Sequence, residues 1–137
     1  MADSIREQVV QAFANRINAA RAAQLDSEQE LPARVIWDPS ESAERLQFGK
    51  YEMTLSVNVA EMAKREPLVN SSVQGNTMLA AILDDALNQD PTLGDLCKQI
   101  NYTDSQIDSP DSGQTTMIVL VTFDIVYRTS NTNPYQQ

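Results

Sequence analysis

The residues of this chain that could do chemistry are few, and histidine is not among them. Its absence removes Ser-His-Asp and Cys-His catalysis, HExxH zinc sites and any imidazole proton shuttle together. The four glycines, Gly49, Gly75, Gly94 and Gly113, stand singly, so neither a phosphate-cradling P-loop nor a G-x-G-x-x-G turn can form. Cys97 is the one thiol. It follows the turn DPTLGDL, where the neighbouring Asp95 would discourage a thiolate, so a structural half-buried cysteine is the simpler reading. Asp104, Asp108 and Asp111 offer several oxygens of the kind calcium prefers, but without EF-hand spacing, and Asp/Ser/Pro/Gly is also ordinary hairpin chemistry. Asp84 and Asp85 are adjacent on a helix, about 100° apart, and so do not converge on one bond as a general acid and base must. The chain therefore reads as a protein without catalytic, cofactor or metal residues.

The most informative stretch is residues 115–128, TTMIVLVTFDIVYR. Met117, Val119, Val121, Phe123, Ile125 and Tyr127 form one alternating row, read as core. The other row holds Ile118, Leu120 and Val126, interrupted by Thr122, Asp124 and Arg128. A strand with one wet face should alternate apolar and polar residues, whereas this one is apolar on both faces for its first half. A chain of 137 residues has few further elements to cover two faces, which places Ile118, Leu120, Asp124, Val126 and Arg128 in an expected subunit interface. Asp124 then has two readings. It is an exposed charge that discourages edge pairing, or it meets an arginine of a neighbouring subunit such as Arg128 or Arg45.

The elements around this strand follow from local pattern. Ser4 and Glu7 make a capping box before Ile5, Val9, Phe13 and Ile17, predicting an amphipathic helix to about residue 23. Residues 33–37 are β-like and end at Asp38-Pro39, followed by a polar segment over 40–45. Residues 48–60 alternate, with Met53, Leu55, Val57 and Val59 on one face. Residues 70–76 read as a loop, and a second helix starts near Asn76 or Thr77, its stripe made by Met78, Leu79, Ile82, Leu83, Ala86 and Leu87. Asp90-Pro91-Thr92-Leu93-Gly94 stops it, and a weak strand follows over 98–107. This order, α-β-β-α-β-β, predicts an α+β two-layer sandwich in which an antiparallel four-stranded sheet carries two helices on one face. Residues 1–128 form the expected single domain and 129–137 a flexible C-terminal tail.

Composition bounds the partners. Nineteen acidic against ten basic residues give a formal charge of −9, which opposes specific nucleic-acid binding and anionic membranes. Between residues 84 and 124 there are eight acids and one base, Lys98. A lone cysteine forms no internal disulfide, the first residues lack the apolar core of a signal peptide, and no apolar run spans a bilayer. Cytoplasmic synthesis is the expectation.

The helix containing IREQVVQAFANRI, the strand YEMTLSVNV, the helix ending NQDPTLGDLC and the closing strand entering VYRTSNTNPY together resemble the phage tail-terminator family, which includes the minor tail protein U group. The likeness runs over most of the domain. The turn at Asp90, Thr92, Leu93 and Gly94 is similar to turns after the second helix in that family, and Tyr127-Arg128-Thr129 with Asn133-Pro134-Tyr135 is similar to its C-termini. The resemblance implies a phage or prophage structural protein, made in the host cytoplasm and carried in the virion tail. It implies a homo-oligomer, a hexameric ring that caps the finished tail tube and then meets head-completion proteins. Acids such as Asp84, Asp85, Asp90, Asp95 and Asp108 would suit a bore through which DNA slides without sticking. A different reading of the same residues is a small cytoplasmic dimer that binds a peptide or protein without catalysis.

Overall fold

The computed structural model describes residues 3–21, 33–108 and 115–137. The Ser4 hydroxyl accepts the Glu7 amide at 3.1 Å and starts α1 (Ile5–Arg16). Glu7 does not complete the capping box; its carboxylate takes Arg21 at 2.6 Å. The helix ends well before residue 23, because Asn18 adopts φ 54° and turns the chain. Asparagine tolerates this left-handed conformation better than most residues. The turn delivers β1 (Ala20–Arg21), two residues paired parallel with Val35 and Ile36 of β2 (Ala33–Arg45).

Strand β2 runs straight through Asp38-Pro39 with a register shift between Trp37 and Ser40. The proline is tolerated there because this part of β2 lies past β1 at the sheet edge, where a missing amide costs no ladder bond. The polar segment expected over 40–45 is therefore edge strand. β3 (Lys50–Lys64) pairs antiparallel with β2 on one side and with β5 (Thr116–Ser130) on the other. Helix α2 (Ser71–Leu87) starts earlier than its apolar stripe, since the Asn70 side chain accepts the Ser72 amide at 2.8 Å and caps a polar first turn. Just past that turn Gly75 lies so close to the sheet that a Cβ would sit 2.5 Å from Ile107. Edge strand β4 (Gln99–Asp108) pairs antiparallel with β5.

The sheet order is β1-β2-β3-β5-β4. The α+β class holds, but the expected antiparallel four-stranded sheet is corrected to a five-stranded mixed sheet, and the order to α-β-β-β-α-β-β. The addition is β1, whose two residues carry no alternation of their own and lie within the stretch that continued the helical stripe. Both helices pack on one face of the sheet. Val9, Val10, Phe13 and Ile17 of α1 and its end, with Met78, Ile82 and Ala86 of α2, share one core with Leu55, Val57, Val59 and the row from Met117 to Tyr127. Phe13 meets Phe123 edge-on at 5.2 Å between ring centroids. Arg34 joins four segments: it donates to the Ile17 carbonyl at 2.6 Å and pairs with Glu61 at 2.8 Å and Asp85 at 2.9 Å.

The boundary expected at residue 128 falls inside β5, which continues to Ser130. Thr129 is buried, with its hydroxyl donating to the Gln136 carbonyl, and the Ile5 amide donates to the Pro134 carbonyl at 2.9 Å. The final residues thus fold back onto the start of α1.

Candidate subunit interface on the helix-free sheet face

The period of two that sends Val121 and Phe123 under the helices sends their neighbours to the opposite face. In β5 these are Ile118, Leu120, Thr122, Asp124, Val126 and Arg128. They stand in register with Met62, Ala60, Asn58, Ser56, Thr54 and Glu52 of β3. Beyond them, β4 contributes Asp108, Gln106, Asp104, Asn101 and Gln99. On the other side β2 places Val35 opposite Ala60 and Trp37 opposite Asn58. The face therefore divides across its length. At one end β2, β3 and β5 are apolar, with Val35, Trp37, Ala60, Met62, Ile118 and Leu120 rimmed by Gln106 and Asp108 of β4, and the other end is polar and charged apart from Val126.

Ile118, Leu120, Trp37 and Met62 are only partly buried in the single chain. Among the described residues no helix covers this face, and its buried members Val35, Ala60 and Val126 lie outside the main core. Val126, at 7% exposure and flanked by Thr54 and Gln99, has little surface left to give to a partner. Ile118 and Leu120 retain theirs. Between Trp37, Asn58, Asp104, Gln106, Leu120 and Thr122 lies a hollow of about 210 Å³. Its floor is ordered by the Thr122 hydroxyl, which donates to Asn58 Oδ1 at 2.9 Å.

The charges on this face fall into two groups. Arg128 and Lys98 converge on Glu52 at 3.3 and 3.2 Å, and the Lys98 ammonium, helped by Arg128, holds that carboxyl below its usual range. Asp124 stands between Ser56 and Asn101 and makes no ion pair among the described residues. Within the chain Arg128 is thus engaged by Glu52, which leaves Asp124 to other partners.

The turn after α2 is a separate feature. Asp90 accepts the amides of Thr92 and Gly94, both at 2.9 Å, and the Thr92 hydroxyl at 2.7 Å. These bonds stabilise its charged form and lower its pKa to about 2. They also support three consecutive left-handed residues, Leu93, Gly94 and Asp95, and Leu93 is buried in the core. Asp90, Thr92, Leu93 and Gly94 therefore form a structural stop that sits apart from the sheet face. Cys97 packs behind it, donating to the Pro91 carbonyl at 3.4 Å, and burial pushes its thiol up to about 11. Asp85 is held by Arg34, while Asp84 takes the Asn88 side chain, so the pair diverges. Asp104 and Asp108 lie on β4, and Asp111 lies outside the described residues.

Sequence reasoning placed the apolar row of β5 but missed Trp37, Val35 and Met62, which complete the patch. The alternation Ala33, Val35, Trp37 against Arg34, Ile36 was the available signal. No protein-family model matches the chain, and no curated protein matches it.

Proposed function

We propose that this chain is a ring-forming structural subunit of the phage or prophage tail, of the tail-terminator type, without catalytic activity. The observation that carries the reading is the half-buried apolar end of the helix-free face, where Ile118 and Leu120 lie beside Trp37 and Met62. Full burial of such a side chain is worth about 1.5–3 kcal/mol, and at most about a third of that remains open here, so a second copy seated there gains about 1 kcal/mol or less from each. The sequence likeness in the helices, the turn and the closing strand supports the specific assignment. The ring, a hexamer on that likeness, caps the tail tube and presents a surface to head-completion proteins.

The acidic surplus suits this role in two ways. It keeps free subunits apart before assembly, and it leaves a bore that does not hold DNA. The reading is tested by adding purified protein to tail tubes that lack their cap and imaging them. Discrete density at one tube end supports it. Tubes left bare and still elongating in its presence contradict it.

A further inference from the structure

At the opposite end of β3 from Lys64, residues 46–49 turn the chain between β2 and β3. Phe48 stands on this tip with 95% of its surface exposed and φ 65°, a conformation that costs a bulky residue energy and that the side chain gains nothing from in the single chain. The tip is nevertheless fixed: the Leu46 amide donates to the Lys50 carbonyl at 2.7 Å and the Asn131 amide to the Gly49 carbonyl at 2.8 Å. Arg45 and Lys50 flank it, and neither makes an ion pair among the described residues. A rigid aromatic between two cations is displayed to solvent.

The hollow on the helix-free face offers the complementary features. Trp37 and Leu120 supply apolar wall, and Asp104 lines it with Asp124 close by on the same face. A cavity of about 150 Å³ suffices to hold benzene, so the hollow of about 210 Å³ admits a phenyl group. The chain cannot fill its own hollow, because Asn58 lies eight residues along β3 from Lys50, roughly 27 Å at strand spacing.

We propose that the β2–β3 tip of one copy inserts Phe48 into the hollow of the next, with Arg45 and Lys50 meeting Asp104 and Asp124. This rests on the reading that a second copy covers the helix-free face. Knob and hollow are different surfaces, so the contact is head-to-tail and propagates into a closed ring or an open filament rather than a two-fold dimer. It also gives Asp124 the arginine that Arg128, occupied by Glu52, does not provide.

Site-specific cross-linking tests it, using the full chain in a Cys97→Ala background. Gln47→Cys places a thiol beside Phe48, and Gln106→Cys places one at the hollow. Under mild oxidation, mixing the two single variants should give a covalent dimer that neither gives alone, and the double variant should give a ladder beyond dimer. Phe48→Asp added to the double variant should remove the ladder while leaving the thermal midpoint of the monomer unchanged or higher. Arg45→Glu should weaken association at least tenfold, and Asp124→Arg added to it should restore most of the loss. If wild-type protein assembles but the mixture yields no cross-link, tip insertion is wrong while the ring reading stands. If wild-type protein stays monomeric both alone and with capless tail tubes, both fail.

Discussion

Leu120→Lys and Val121→Lys place the same charge on adjacent residues of β5, yet the account requires opposite outcomes. Val121 is 1% exposed and lies between Val59 and Ser105 beneath the helices. Replacing it forfeits about 1.5–3 kcal/mol of apolar burial. Confining an ammonium there adds several kcal/mol more. Set against a stability of about 5–15 kcal/mol for a single domain, the sum removes most or all of the folded population. Leu120 is half-buried and faces away from both helices. A lysine there keeps its stem on the patch and its head in water, so the monomer loses about 1 kcal/mol or less. A neighbouring copy seated on that face would instead trap the charge, at about 3–5 kcal/mol per contact, or roughly a 10²- to 10⁴-fold weaker association. Urea unfolding followed by circular dichroism, with sedimentation velocity on the same samples, separates the two effects. Val121→Lys should be unfolded or molten, and Leu120→Lys folded but unassembled. Equal loss of the fold in both variants, or full assembly of Leu120→Lys, refutes the division of the faces.

Three further outcomes follow from the described contacts. Arg34→Met should destabilise the chain by about 2–3 kcal/mol in urea titration, somewhat below the cost of breaking a fully buried pair, because Glu61 and Asp85 lose a shared partner that is itself partly exposed. Asp90→Asn should be less stable than wild type at neutral pH. Because the folded-state pKa of Asp90 is depressed from 3.8 to about 2, its stabilisation is complete above about pH 4 and disappears as pH falls through 2, so the two urea midpoints should converge there. The Cys97 thiol, raised to about 11 by burial, should react slowly with an aromatic disulfide reagent at pH 8 and rapidly in denaturant.

Most of the fold was legible where one physical pattern dominates. The alternation from Met117 to Tyr127 and from Met53 to Val59 located β5 and β3, because one face of each is buried by the chain itself. The capping serine before Ile5 located α1. What escaped was decided by tertiary context. The pair Ala20–Arg21 is too short to show a period, and only the left-handed Asn18 turns it onto β2. Residues 40–45 look like a loop because an edge strand needs no apolar side chains, and Pro39 marked a bulge rather than an end. The first turn of α2 is polar, so the apolar stripe starts late. On the candidate face, Ile118 and Leu120 were readable from doubled apolarity in one strand. Trp37 and Met62 were not, since their membership depends on the register between strands. The Glu52 partnership of Arg128 was equally hidden, because it joins residues 76 positions apart.

The central claim is that the helix-free face is completed by another copy of the chain. Native mass spectrometry of the full chain across a concentration series, alone and with capless tail tubes, tests it most directly. Closed multiples of the 15.2 kDa subunit, near six, should form in solution or on the tubes. A species that stays at 15.2 kDa under every condition contradicts it.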